Sequence, residues 1–144
     1  MFTENYMDNI KSKEEILNII SSDEFKEIFI NKNINNVIIF GSLSKGDFSI
    51  ESDIDIAIIS EEKLSIMDEL NITAKLEDIL GRSIDLIDIN DDNINNFIKI
   101  EALNSKLVVM KNQLLESTIE YYDKFYKENE EFWYLLDKEV LSNE

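Results

Sequence analysis

The spacing of apolar residues predicts alternating helices and strands in the first half of the chain. Between about residues 13 and 31 apolar side chains recur every three or four positions, which predicts one or two amphipathic helices. The β-branched run Val37–Phe40, followed by Gly41, predicts a short buried strand. A second strand with two unlike faces is expected around residues 53–58, where isoleucine alternates with Asp53, Asp55 and Ala57.

The apolar spacing of residues 61–104 predicts a helix, a strand and another helix. Residues 61–80 have helical apolar spacing and are followed by Gly81, which is the residue type that commonly ends a helix. The apolar face of this helix is predicted to consist of Leu64, Met67, Leu70, Ala74, Leu76 and Ile79. Residues 84–89 predict a third strand, and residues 92–104 predict a further helix.

The end of the chain is predicted to be a helical extension, residues 111–144. A short apolar run, Leu107–Met110, precedes it. Residues 1–110 would form the body of one domain, because 144 residues provide for one hydrophobic core and little more. The order of elements predicts an α/β (α+β) fold. In this fold a small mixed sheet of three strands is flanked by helices and followed by a long C-terminal helical extension.

Composition narrows the chemistry that such a fold could perform. The chain contains no cysteine and no histidine, which excludes disulfides, thiolate metal sites and every nucleophilic arrangement that needs an imidazole. Any reaction must therefore use carboxylates, hydroxyls, lysines, backbone amides or metal ions.

The acidic balance of the chain affects which partners it could bind. A formal net charge of −17 disfavours direct contact with nucleic acid or an anionic membrane, although acidity can also serve solubility alone. A single nucleotide that arrives with magnesium remains compatible, because the ion brings positive charge. No segment approaches the roughly 18 to 20 apolar residues of a membrane span, so a cytoplasmic protein is expected.

A glycine-containing turn after the first predicted strand is a candidate phosphate-binding site. The segment Gly41–Asp47 is expected to open a short helix. Glycine at such a turn lets backbone N–H groups approach an anion, while Ser42 can donate a hydroxyl hydrogen bond and Lys45 can supply charge. A Gly–Ser turn that only caps a helix is the structural alternative.

Two carboxylates in the second predicted strand form a candidate metal site. Asp53 and Asp55 are two residues apart, so on a strand they point to the same face with α-carbons about 6 to 7 Å apart. Like charges at this separation repel one another unless a cation lies between them. Carboxylates on a rigid strand suit magnesium, which binds one or two of them together with substrate phosphates. An edge strand with solvated acids is the alternative.

The third predicted strand can add one further carboxylate. Asp85 and Asp88 are three residues apart and therefore lie on opposite faces of a strand. Only one of them can face the pair in the second strand, and strand periodicity alone leaves the choice open.

These motifs resemble those of the polymerase-β-like nucleotidyltransferase superfamily. Gly41–Ser42, ten residues and then Asp53–Asp55 is similar to the superfamily's Gly–Ser and Asp–x–Asp pattern. The wider context, residues 40–47 and 52–56, resembles its minimal, single-domain (MNT) branch. Lys45 departs from the arginine that is common in relatives, which keeps the charge but loses the bidentate fork.

The resemblance implies transfer of a nucleoside monophosphate to an acceptor hydroxyl, with pyrophosphate leaving and two Mg²⁺ ions as cofactors. ATP is the expected nucleotide. Residues 84–87 resemble the strand that carries the family's third carboxylate, which favours Asp85 over Asp88. The implied metal ligands and catalytic residues are therefore Asp53, Asp55 and Asp85, and the implied nucleotide-binding residues are Gly41, Ser42 and Lys45. Asp85, nearest the acceptor, could take the proton of the attacking hydroxyl.

The helical extension suggests a protein partner. Single-domain MNT proteins with such an extension resemble the antitoxins of HEPN/MNT toxin–antitoxin pairs, in which AMP is attached to a HEPN ribonuclease toxin, with tyrosine as the expected acceptor. Part of the aromatic stripe on the extension should pack on the domain body and the rest could contact the partner. This stripe includes Tyr122, Phe125, Tyr126, Phe132 and Trp133. Two alternatives remain: an antitoxin that sequesters its toxin without catalysis, and transfer of AMP to a small molecule.

Overall fold

Two short helices precede the first strand in the computed structural model, which describes residues 10–128. Helices α1 (Lys13–Ile20) and α2 (Asp23–Ile30) follow Ser12 and Ser22, whose hydroxyls accept hydrogen bonds from backbone N–H groups of the first turn. Such caps satisfy donors that the helix itself leaves unpaired. The prediction of one or two amphipathic helices over residues 13–31 is thus confirmed, with two helices.

The remaining elements form a mixed sheet with helices on both of its faces. The strand order is β3–β2–β1–β4, with β1 antiparallel to β2 and β4, and β2 parallel to β3. The predicted α/β fold is confirmed, but the described residues contain four strands rather than three, because the run 107–110 pairs with β1. The elements are β1 (Asn36–Phe40), α3 (Ser42–Lys45), β2 (Ile54–Ile59), α4 (Ile66–Leu80), β3 (Ile84–Asp88), α5 (Asn96–Leu103), β4 (Leu107–Met110) and α6 (Gln113–Glu128).

The two faces of the sheet carry separate hydrophobic clusters. Ile54, Ile56 and Ile58 of β2 point towards the cluster that is covered by α1, α2 and α4. Ala57 and Ile59 point to the opposite face, which packs against α5 and α6. Because side chains alternate along a strand, Asp55 shares this second face with Ala57 and Ile59.

Helix α4 makes the crossover that a parallel pair of strands requires. It begins after Ser65 and ends at Gly81, which adopts the left-handed conformation with φ of 65°, so the predicted glycine cap is confirmed. The predicted apolar face is wrong in part. Met67 and Leu70 are 75% and 60% exposed, Ala74 is exposed as well, and Leu64 lies before the helix. The helix starts at Ile66 rather than near residue 61, and it turns a different stripe towards the sheet. Its buried residues are Ile72, Leu76 and Leu80.

The described part of the C-terminal extension packs on the α5 side of the sheet. Leu115 of α6 is buried, and Ile119 and Tyr122 lie against the same cluster, as expected for the part of the stripe that contacts the body. Residues after 128, including Phe132 and Trp133, lie outside the described residues. None of the helices within residues 10–128 combines the length and the apolar character needed to cross a membrane.

Candidate active site

Gly41 joins β1 to α3 through a backbone conformation that glycine adopts far more readily than other residues. Its φ is 73° and its ψ is −149°. Phe40 pairs with Asp55 across the antiparallel β1–β2 ladder, which brings the Asp55 carboxylate over the turn. A β-carbon built on Gly41 would collide with an Asp55 carboxylate oxygen and lie 3.0 Å from its Cγ. Glycine is therefore required here for its backbone and for the space that Asp55 occupies.

The turn is closed by hydrogen bonds to a single carbonyl group. The carbonyl oxygen of Gly41 accepts from the N–H groups of Ser44 and Lys45, at 3.2 and 3.1 Å, and from the Ser44 hydroxyl at 3.0 Å. Ser44 is therefore used for the fold of the turn. Ser42, the predicted phosphate contact, is half-buried as the first residue of α3, immediately after the glycine that contacts Asp55.

Asp55 and Asp85 lie side by side at the ends of two parallel strands. They are register partners in the β2–β3 ladder, and the Asp85 carboxylate is close enough to help raise the pKa of Asp55. Burial, and then the charges of Asp85, Asp53 and Glu101, raise the pKa of Asp55 to about 6. Two carboxylates this close favour a proton or a cation between them.

Asp53 completes the predicted group from a position just outside β2. The strand begins at Ile54, one residue later than the sequence pattern predicts, and Asp53 is exposed. Its charge nevertheless contributes to the raised pKa of Asp55, so the two acids are electrostatic neighbours. Asp53, Asp55 and Asp85 thus lie at the same end of the β2–β3 pair, with Asp53 and Asp85 exposed.

Asp88 lies on the opposite face of β3, where its carboxylate binds backbone N–H groups. Its side chain is only 2% exposed, and its two carboxylate oxygens accept hydrogen bonds from the N–H groups of Leu64 at 2.8 Å and Asn90 at 2.9 Å. These bonds hold the connections before α4 and after β3. Asp85, by contrast, is exposed on the face of Asp55, so strand geometry agrees with the choice of Asp85 that the family resemblance favoured.

Lys45 forms an ion pair across the site with a residue that sequence analysis did not identify. Its Nζ lies 2.9 Å from Oε1 of Glu101 on α5, with the two side chains 61% and 46% exposed. The hydrogen bond and charge of Glu101 raise the pKa of Lys45, with smaller contributions from Asp47 and Asp55. Pairs this exposed are weak, so Lys45 could exchange Glu101 for a phosphate group at little cost.

The donor set suits magnesium as part of a coordination sphere. Within residues 10–128 no three acidic side chains already converge closely enough to hold an ion on their own. The crowding of Asp55 against Asp85 nevertheless favours a cation, and carboxylate oxygens are hard ligands. Magnesium usually binds one or two carboxylates and completes its shell with water and substrate phosphates, which fits a partial protein site.

Arg82 is a second residue that sequence analysis missed. It follows the Gly81 cap of α4 and donates hydrogen bonds to the carbonyl oxygens of Ser49 and Ser52, both at 2.9 Å, in the loop that leads to Asp53. A signal for it was present, because it is the only arginine among 14 basic residues. No comparable signal marked Glu101, which is one acid among 31.

An apolar groove lies beside the carboxylates, between α5 and α6. Its volume is about 430 Å³, and Glu101 lines it together with Phe97, Ile100, Tyr122 and Tyr126. A cavity of about 800 Å³ lies at the other end of the sheet, near Asn36 and Ser60, and contains none of the predicted site residues. The groove adjoins the site through Glu101, and a further cavity of about 540 Å³ adjoins it through Asp53.

The fold is that of a nucleotidyltransferase, and a comparison of the sequence with family models agrees. The model "Polymerase beta, Nucleotidyltransferase" matches residues 23–114, which is more than half of the chain. The chain therefore belongs to this nucleotidyltransferase family. No curated protein sequence matches it significantly.

Solved structures of toxin–antitoxin pairs have a similar fold. A mutant of the toxin–antitoxin MntA–HpeT aligns with a TM-score of 0.68 and 17% identity, over 82% of this chain and 97% of that one. A toxin–antitoxin structure with AMP-PNP gives a TM-score of 0.65 and 20% identity, over 81% and 97%. A tri-AMPylated Shewanella oneidensis HEPN toxin in complex with MNT antitoxin gives 0.56 and 18%, over 82% and 94%. At these identities the similarity establishes the fold.

Proposed function

We propose that this chain is an antitoxin that transfers AMP from ATP to a hydroxyl group of a HEPN-family toxin, with magnesium as cofactor and a tyrosine as the acceptor. The observation that carries the proposal is the packing of Asp55 between Gly41 and Asp85. It puts a paired carboxylate directly against the turn that would bind the phosphates. Asp53, Asp55 and Asp85 would hold the metal, and Gly41, Ser42 and Lys45 would bind the nucleotide.

In the proposed reaction the acceptor oxygen forms a bond to the α-phosphorus of ATP. The bond from that phosphorus to the bridging oxygen of the β-phosphate breaks, and pyrophosphate leaves. Magnesium, when bound, would supply charge neutralisation for the triphosphate and acidify the acceptor hydroxyl. Asp85, which is exposed on the same face as Asp55, is placed to take the hydroxyl proton. Ser42 and Lys45 would hold the triphosphate in line with the acceptor.

The choice of a protein acceptor is supported by the groove and by the related structures. The groove between α5 and α6 runs beside the site and is rich in aromatic side chains, as protein-binding surfaces often are. Among proteins of similar fold, one structure contains an AMPylated HEPN toxin with its MNT antitoxin and another contains AMP-PNP. Both features favour a toxin as the acceptor over a small molecule.

The decisive experiment combines growth rescue with mass spectrometry. The toxin is to be sought among the products of the neighbouring genes and recognised by its HEPN-family sequence. Co-expression of the wild-type chain should restore growth and add the mass of one or more AMP groups to the toxin. Asp53→Ala should still bind the toxin but should neither restore growth nor change its mass.

Two outcomes of this experiment would support other functions. Full rescue by Asp53→Ala with no change in toxin mass would show that sequestration is sufficient for neutralisation. Failure of the wild-type chain to modify the toxin, combined with release of pyrophosphate when small hydroxyl compounds are supplied, would favour a small-molecule acceptor. Neither result would contradict the fold or the proposed metal ligands.

A further inference from the structure

The loop that leads to Asp53 is a compact turn closed by two serines. The Ser52 N–H donates to the Ser49 carbonyl oxygen at 3.1 Å, and the Ser49 N–H donates to the Ser52 hydroxyl oxygen at 2.9 Å. These bonds fix the shape of the turn. They do not by themselves fix its orientation relative to the sheet, which must come from contacts outside residues 46–53.

Arg82 supplies these outside contacts. One guanidinium nitrogen, Nη1, donates to both ends of the turn, the carbonyl oxygens of Ser49 and Ser52, each at 2.9 Å. The other, Nη2, donates to the carbonyl oxygen of Lys11 at 3.2 Å. The guanidinium carbon also lies 4.5 Å from the ring centroid of Phe48. This set of contacts needs the planar fork and the stacking surface of arginine, which lysine lacks.

The peptide groups on both sides of Asp53 are held by neighbouring residues, Arg82 and Ser83. The carbonyl group before Asp53 belongs to Ser52 and accepts from Arg82. The N–H group after Asp53 belongs to Ile54 and donates to the carbonyl oxygen of Ser83 at 3.0 Å. The backbone at Asp53, and with it the direction of its Cα–Cβ bond, is therefore set by the segment that enters β3.

We propose that Arg82 is a positioning residue, which orients Asp53 for the binding of magnesium and nucleotide. The inference rests on the proposed function. Arg82 acts through Asp53. It belongs to the segment that precedes β3, the strand that carries Asp85. Its hydrogen bonds to the loop therefore hold Asp53 in a fixed position relative to Asp85. Groups that orient metal ligands in this way typically affect metal affinity by about 10- to 100-fold.

The test is a direct measurement of magnesium binding. The full chain is titrated with Mg²⁺ by calorimetry in the presence of a non-hydrolysable ATP analogue. Arg82→Lys and Arg82→Gln should raise the dissociation constant for Mg²⁺ by about tenfold or more. Higher Mg²⁺ concentrations should restore transfer activity in Arg82→Lys, because the ligands remain present and only their alignment is impaired.

Matched controls separate positioning from general stability. Ile72 is buried in α4, so Ile72→Val should cause a small loss of stability and Ile72→Ala a larger one. Both variants should keep the Mg²⁺ affinity of the wild-type chain. Phe48→Leu removes the ring under the guanidinium but keeps the hydrogen-bond acceptors, so it should have a smaller effect than Arg82→Gln.

Three results would overturn the inference. Equal Mg²⁺ affinity in the wild-type chain and Arg82→Lys would overturn it while leaving the proposed function intact. The same would follow if Ile72→Ala, at matched stability, weakened Mg²⁺ binding as much as Arg82→Gln. If the wild-type chain bound no magnesium–nucleotide complex at all, the proposed function would fail and the inference with it.

Discussion

The carboxylate of Asp55 fills the space beside Gly41 where any other residue would place its β-carbon. This contact joins the two halves of the proposed site, because Gly41 belongs to the turn proposed to bind the nucleotide and Asp55 to the strand proposed to bind the metal. The same chain offers a natural comparison in Gly46. That residue also has a positive φ, 91°, but no heavy atom lies within 4 Å of the corresponding β-carbon position.

Gly41→Ala should therefore be more damaging than Gly46→Ala. The first substitution combines backbone strain with a collision, and we expect it to lower the free energy of unfolding by about 2 to 4 kcal/mol. The second adds backbone strain alone, about 1 kcal/mol. Urea unfolding followed by circular dichroism would measure both. Equal losses in the two variants would show that Asp55 yields to a β-carbon at position 41 without cost.

Substitution of Asp85 should lower activity, whereas substitution of Asp88 should lower stability. Asp85→Asn should reduce the rate of AMP transfer by about 100-fold or more with little change in stability, because the side chain is exposed and would serve as the proton acceptor. Asp88→Asn should keep most of the activity but lose about 1 to 3 kcal/mol of stability, because an amide cannot accept both backbone hydrogen bonds. Measured rates and unfolding curves that came out the other way round would reverse the assignment of strand faces.

The stability of the metal-free protein should depend on pH through Asp55. Its folded-state pKa of about 6 lies above the ordinary value of 3.8, so the folded state binds the proton more tightly than the unfolded state. The resulting stabilisation is fully present below 3.8 and is lost as the pH rises through about 6. Asparagine does not titrate, so the Asp55→Asn variant does not lose stability in this way. Its free energy of unfolding relative to the wild-type chain should therefore increase as the pH rises over this range.

Near neutral pH the free energy of unfolding of Asp55→Asn should exceed that of the wild-type chain by about 1 to 2 kcal/mol. This is less than the pKa shift alone would correspond to, because solvent reaches the site. Urea unfolding in EDTA at several pH values would measure it. A constant difference between the two proteins at all pH values would contradict a raised pKa for Asp55. Asp88→Asn serves as the control for loss of a buried carboxylate elsewhere in the sheet.

Lys45 should contribute to nucleotide binding rather than to stability. Lys45→Ala should weaken the binding of an ATP analogue with magnesium by about tenfold, the effect of losing one charged hydrogen bond. Its unfolding free energy should change by less than about 1 kcal/mol, because the pair with Glu101 is exposed. Glu101→Gln removes the same ion pair but keeps Lys45, so it should bind the analogue at least as well as the wild-type chain. Equal weakening in both variants would mean that the ion pair itself is what matters.

Periodicity and turn residues were sufficient to predict most of the fold. Alternation predicted that Asp85 and Asp88 lie on opposite faces of β3, and Gly81 marked the end of α4. The choice of Asp85 as the partner of Asp55 came from the family resemblance. The apolar face of α4 was misjudged because helical spacing alone does not say which stripe meets the sheet. Met67 and Leu70 fit the pattern, yet they face solvent.

The candidate site could be predicted only where its residues belong to a local motif. Gly41, Ser42, Asp53 and Asp55 lie within 15 residues of one another along the chain, so their spacing is visible in the sequence. Glu101 and Arg82 reach the site through the packing of α5 and the crossover of α4. Such contacts leave no periodic signal, and only the folded chain brings them together.

The parallel register of β2 with β3 has a consequence for length variation in this family. Asp55 meets Asp85 only while the connection from Gly81 to Ile84 keeps its length. A slip of one residue would turn Asp85 to the opposite face and bring an isoleucine or a leucine beside Asp55. Insertions and deletions should therefore be rare in these few residues. They should be better tolerated between Asn90 and α5, beyond the last backbone bond to β2, which Ile89 donates to Ile58.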